Sequence, residues 1–161
     1  MPANLKFLLI VVLCFFFLAA PAQKKKEIKK YGIKTVTSTK TIGAKTVKDE
    51  KLTYNRNGLL IEEVKYDENG VVSSLTKYKY NAEEEVIEEL EFDKTNVLKE
   101  NRTTTYNILS QKTEERVTDR NAKQIKRITY SYNSKGLRIE KKTFNANNAL
   151  VMTKKISYAD K

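Results

Sequence analysis

The sequence predicts an all-β protein, an antiparallel β-hairpin repeat with a 26-residue period and two strands per repeat, forming a twisted meander or partly coiled single sheet. Three observations carry this. Tyr54, Tyr80, Tyr106, Tyr132 and Tyr158 stand 26 residues apart, and the first four precede Asn55, Asn81, Asn107 and Asn133. A second series falls 12 residues further on: Tyr66-Asp67, Phe92-Asp93, Thr118-Asp119 and Phe144-Asn145. All five glycines, Gly32, Gly43, Gly58, Gly70 and Gly136, fall in the stretches between candidate strands.

Residues 1–22 open the chain as a signal peptide does. A lone Lys6 precedes an apolar run from Phe7 to Ala20 and the small-residue triplet Ala20-Pro21-Ala22. The run is shorter than the about 20 apolar residues of a membrane span. Lys24, Lys25 and Lys26 directly after it would suit a retained anchor, so both outcomes stay open. Cys14 follows the bulky Leu13 inside the run and reads as apolar filler.

Residues 23–161 are expected to form the β-repeat domain, five repeats starting near residues 28, 54, 80, 106 and 132. N-R-N-G, D-E-N-G, N-S-K-G and N-A-N-N read as four-residue hairpin loops, because Gly and Asn tolerate positive φ and Asx side chains bond to nearby backbone. Between them, segments such as 59–66 and 71–80 have the length and the Val, Ile, Thr and Tyr content of strands, giving about nine or ten. No window carries the apolar spacing of a helix. With four-residue loops Tyr66 faces Val71 and Tyr80 faces Glu85. That register sets Lys77 opposite Glu88, Lys51 opposite Glu62, Tyr78 opposite Ile87 and Tyr130 opposite Ile139. Neither face is clean, since Ile61, Val72, Tyr78 and Tyr80 share one and Leu60, Val64, Tyr66 and Leu75 the other. Either bulges shift the alternation or the sheet coils.

Composition weighs against an enzyme. Without residues 1–22 there is no Cys, His, Trp or Pro. No disulfide is then available although export would permit one. The usual zinc and copper ligands and the commonest general base are missing too, so neither metal nor cofactor is expected. Glu62, Glu88, Glu114 and Glu140 form a column, with Glu63, Glu89 and Glu115 beside it. Paired carboxylates hydrolyse glycosides, but a column repeated four times lacks the single pocket that sets two pKa values apart. Solvated partners for lysine explain it better, and no catalytic residue is assigned.

Binding candidates are the tyrosines Tyr54, Tyr78, Tyr80, Tyr106, Tyr130 and Tyr132. Exposed rings of this kind stack on sugars, whereas recurrence in every repeat favours a packing ladder. Basic residues concentrate at the ends, from Lys24 to Lys30 and again at Lys123, Lys126, Arg127, Lys141, Lys142, Lys154 and Lys155. With export expected, they point to envelope glycans, lipid headgroups or other surface polyanions, attracted in a salt-dependent way, and not to nucleic acid; the partner expected is an acidic glycan or an envelope protein. Lysines on an end strand also discourage strand addition.

"YNRNGLLIEEVKYDENGVV" resembles the bacterial YD repeats, also called Rhs-type: tyrosine, Asp or Asn, two variable residues, glycine, then an alternating strand. The resemblance runs from about Ile28 to Lys161 and is best at Tyr54–Gly58, Tyr66–Gly70 and Tyr132–Gly136. Tyr80–Glu84, Tyr106–Ser110 and Thr118–Ala122 depart from it, having lost glycine. It implies an all-β repeat structure and, for short exported members, envelope association with carbohydrate or partner binding. The toxin-enclosing shell of large members does not carry over, and the motif brings no catalytic residues. The expectation is a non-enzymatic exported protein of the periplasm, outer surface or extracellular space. It would bind a glycan or other envelope component, with no membrane span once the signal is removed. The alternative is a structural or assembly protein, or partner binding by β-augmentation, with oligomerisation through edge strands.

Overall fold

The structure, a computed structural model, describes residues 21–159. The expected leader, 1–22, lies outside them except for its last two residues. The described residues form one open antiparallel sheet of ten strands in sequence order: β1 (Thr35–Ile42), β2 (Lys45–Tyr54), β3 (Leu60–Tyr66), β4 (Val72–Tyr80), β5 (Val86–Asp93), β6 (Leu98–Tyr106), β7 (Lys112–Thr118), β8 (Gln124–Tyr132), β9 (Arg138–Phe144) and β10 (Leu150–Lys155). The all-β hairpin meander is therefore the fold. Its two edges are β1 and β10.

Eight of the nine connections share one turn. In each, the opening Asn or Asp accepts the backbone N–H of the residue four further on through its own Oδ1, and in seven of them that of the residue two further on as well. The fourth residue has positive φ throughout, whether it is Gly58, Gly70 and Gly136 or Glu84, Asn96, Ser110, Ala122 and Asn148. The Asx oxygen thus holds the turn even where glycine has been lost. The β1–β2 connection differs. Ile42 pairs with Lys45 across Gly43 and Ala44, a two-residue hairpin with positive φ at its first position.

These turns correct the expected register. Tyr66 faces Val72 and Tyr80 faces Val86, because Asp67 and Asn81 bond to the carbonyls of Val71 and Glu85 and lengthen each loop by one residue. A bulge then adds one more residue two positions into the following strand, as between Lys79 and Tyr80. Lys77 accordingly faces Leu90, Lys51 faces Val64, Tyr78 faces Glu89 and Tyr130 faces Lys141. Beyond the bulge the total slip of two residues preserves each side chain's face, whereas the residues before it, Leu60 and Val72 among them, change face. The bulges also answer the mixed alternation, since Leu60 pairs with Tyr54 and Val72 with Tyr66.

A helix, α1 (Pro21–Lys30), is the second correction. Its C-terminal end is marked in the sequence, where Lys29 and Lys30 occupy the last turn. Gly32, at φ 61°, closes a C-cap in which Ile33 N–H bonds to Ile28 and Gly32 N–H to Lys29. The latter bond matches Gly58 N–H to Asn55, so the turn frame persists 26 residues earlier with a helix in front of it. Ile28 docks on Leu52 and Tyr54, flanked by Ile33, Val36 and Leu60. Docking needs Gly58, since a Cβ there would lie 2.6 Å from the Lys25 carbonyl oxygen.

The core is thin. Beyond the helix contact, Val117 and Ile128 are buried under the second half of the same face, beside Thr104 and Glu115.

Candidate functional site

The tyrosine column is wired into the sheet. The hydroxyl of Tyr80 donates to the Leu60 carbonyl (2.6 Å), Tyr106 to Val86 (3.0 Å), Tyr132 to Lys112 (2.8 Å) and Tyr158 to Arg138 (2.9 Å). Each bond reaches the first residue of the neighbouring strand. Exposure grows along the column, from 8 % at Tyr54 beneath α1 to 53 % at Tyr158. Among the described residues Tyr158 has no further strand beside it.

Tyr78 and Tyr130 form a separate row. Their hydroxyls donate to Glu63 and Glu115, both at 2.8 Å. Burial, and then the carboxylate hydrogen bond, push both phenol pKa values up. The Tyr130 ring is flanked by the Arg138 guanidinium at 5.5 Å and Lys141 at 5.9 Å. Of the six candidate tyrosines the structure brings two together. Tyr54 and Tyr80 line one cleft of ≈ 480 Å³ beside α1, with Lys24, Lys25, Glu83 and Glu84 at its rim.

Glu115 was expected to be solvated and is buried instead. Burial alone would raise its pKa. Hydrogen bonds from Lys112 (2.5 Å) and Tyr130, with the charges of Lys112 and Arg102, outweigh that and hold it below the usual range. Glu63 is held low in the same manner by Lys65 and Tyr78 against its own burial. Its neighbour Glu50 moves up, through burial and then through Glu63.

On the other face the glutamate column is largely ion-paired. Lys79 lies 2.5 Å from Glu88, Arg116 and Arg127 lie 3.1 and 3.3 Å from Glu114, and Lys142 lies 2.8 Å from Glu140. Cations also cover the second aromatic column, with Lys48 over Tyr66, Lys77 over Phe92 and Arg127 over Phe144 at 4.1 Å. Glu62, opposite Lys77, completes the column as a structural row.

Because the strands pair in sequence order, charge segregated along the chain becomes bands across the sheet. Residues 21–59 hold 11 Lys and Arg against 3 acids, 60–111 hold 6 against 12, and 112–159 hold 12 against 4. Both edges lie in basic bands.

The β10 edge differs from its equivalents. All six of its residues are exposed, with Leu150 at 53 % where Val72 and Leu98, in the matching position of β4 and β6, are half-buried; Val151 occupies a position that is exposed at Ser73, Lys99 and Ile125 as well. Lys154 directly faces Lys141, an unfavourable like-charge pair, and among the described residues neither is ion-paired. Sequence reasoning named these lysines but not the apolar half of the edge.

No protein-family model matches the sequence, and no curated protein sequence matches it. Among solved structures it is similar to TarM, at 14 % identity and TM-score 0.31 over 78 % of this chain and 22 % of that one. A ligand-bound point mutant of S. aureus TarM gives 16 %, 0.27, 81 % and 21 %. A Bacteroides fragilis NCTC 9343 protein of unknown function gives 17 %, 0.15, 79 % and 95 %. The chain spans about a fifth of the TarM chains it matches. Likenesses this remote bear on neither activity nor partner.

Proposed function

We propose that this is a non-enzymatic, exported β-repeat protein that binds an envelope component at the free edge of its sheet, by strand addition to β10. The exposure step at this edge is the observation that carries the reading: Leu150 and Tyr158 stand half exposed, whereas Tyr80, Tyr106 and Tyr132 pair with a further strand and Val72 and Leu98 lie level with the turn that precedes one, and all five are more buried. Main-chain groups of an edge strand pair readily with an extended segment. The YD-repeat resemblance and the leader-like residues 1–22 support an envelope setting. Sugar stacking on the tyrosine columns has less support, because Tyr54 is buried and the hydroxyls of Tyr78, Tyr80, Tyr106, Tyr130 and Tyr132 bond within the sheet. The basic band of residues 112–159 favours an acidic glycan as the second reading.

Hydrogen exchange of the purified protein in envelope extract separates the two. Protection of β10 amides that persists after glycan digestion and disappears after protease treatment supports strand addition. Protection that depends on the glycan, with β10 still exchanging freely, transfers the function to the glycan reading. An exchange pattern unchanged by extract defeats both.

A further inference from the structure

The chemistry of the edge specifies its occupant. β10 reads Leu150-Val151-Met152-Thr153-Lys154-Lys155, apolar in its first half and basic in its second. The flanking strand β9 contributes Arg138, Lys141 and Lys142 against the single acid Glu140, which is taken by Lys142 at 2.8 Å. Lys154 and Lys141 face each other on the face that carries α1, in the row of Tyr130, whose carboxylate partner Glu115 is already engaged by Lys112. An incoming acidic side chain opposite Lys154 would offset this like-charge pair. A second copy of this chain fits poorly. Two β10 edges would set Lys154 and Lys155 of each copy against those of the other, and β1 offers no carboxylate, its single charged residue Lys40 being paired with Asp49 at 3.1 Å.

We infer that the β10 edge takes an extended acidic segment of a partner protein, with apolar residues against Leu150, Val151 and Met152 and carboxylates against Lys154 and Lys155. This rests on the edge-binding reading above. The backbone is suitably oriented. Ile156 N–H bonds to Ile139 on β9, and strand alternation then turns the N–H groups of Thr153 and Lys155 outward, free for a ladder.

The test uses the purified protein and two synthetic peptides of about ten residues, matching ordinary strand length. Both alternate valine and threonine with a charged position, glutamate in one and lysine in the other. The glutamate peptide is expected to bind about tenfold more tightly at low salt and to lose about tenfold in affinity at ~0.5 M salt. Exchange of the Thr153 and Lys155 amides should slow on binding. Thr153→Pro, which removes an outward N–H while sparing the β9 ladder, should abolish binding. Lys154→Gln with Lys155→Gln should bring the two peptides to similar affinity. Equal binding of both peptides with loss on Thr153→Pro overturns the acidic assignment and leaves the edge reading standing. Glutamate-peptide binding with no slowing at Thr153 and Lys155 overturns strand addition in favour of surface charge alone. Binding of neither peptide overturns the acidic assignment, and the extract experiment then decides the edge reading separately. Should Thr153→Pro fail to fold, the amide exchange of the unaltered protein decides between these outcomes.

Discussion

At the residue scale, the fold rests on a side-chain oxygen at the start of each turn and a left-handed residue at its end. Five of these left-handed positions are not glycine, and of them Ala122 and Ser110 lack the local bonding that eases Asn into this region. Ala122→Gly and Ser110→Gly should each stabilise the protein by about 0.5–1 kcal/mol, the relief of left-handed strain less the entropy of glycine in the unfolded chain. Thermal melts check this, and Asn148→Gly should gain less. Carboxylates give a second residue-scale outcome. Backbone hydrogen bonds hold Asp67 below the usual range, hydrogen bonds from Thr95 and Val97 do the same for Asp93, and Lys112 and Tyr130 hold Glu115 low despite burial. A folded pKa below the unfolded one means that the unfolded chain binds protons more readily. Their stabilisation is complete above about pH 4, the unfolded carboxylate value, and is lost as pH falls through the depressed folded values. Denaturant titrations at neutral and acid pH should therefore show a smaller pH difference for Glu115→Gln than for the unaltered protein.

Among elements, the tyrosine column joins each strand pair to the next, and α1 covers its first member. Tyr106→Phe keeps the ring and leaves the Val86 carbonyl without its donor, so a loss of about 1 kcal/mol is expected. Tyr158→Phe, at the exposed end, should change the denaturation midpoint little, because water replaces the lost bond to Arg138. The helix depends on a close approach. Gly58→Ala combines a positive φ of 75° with a Cβ against the Lys25 carbonyl, and should cost about 2 kcal/mol and speed amide exchange across α1. The equivalent Gly136→Ala meets only the movable Gln111 side chain and should leave α1 undisturbed.

For the whole molecule, sequential strand order turns a linear charge pattern into basic, acidic and basic bands. Neither edge strand carries a carboxylate, and Lys154 and Lys155 on β10 would oppose pairing between copies, a common defence of exposed strands. Lys154→Glu with Lys155→Glu makes one edge acidic while β1 remains basic. The two edges then complement each other head to tail, in a contact that does not close on itself. Sedimentation velocity should show the unaltered protein as a single species and the double variant as a concentration-dependent ladder of oligomers. A double variant that stays monomeric would remove charge as the reason that copies keep apart.

Much of this was legible in the chain because it is local and repeated. The spacing of Tyr54, Tyr80, Tyr106, Tyr132 and Tyr158 determined strand order and period and put the strand number at nine or ten, since a meander with short Asx turns has little topological choice. Register was missed by two residues because the extra loop residue and the bulge depend on which backbone groups Asn and Asp capture, and composition does not reveal that. The helix was missed because it is marked by its C-cap at Gly32 and carries one buried apolar anchor, Ile28, too few to give a helical apolar period. What the tertiary structure decided was the fate of the side chains. The hydroxyls of Tyr78, Tyr80, Tyr106, Tyr130 and Tyr132 bond to the neighbouring strand, Glu115 is buried with its partners, and among the described residues β10 has no strand beyond it. The physical reason is that turn chemistry acts over four or five residues and is written in order, whereas exposure depends on whether another strand lies alongside.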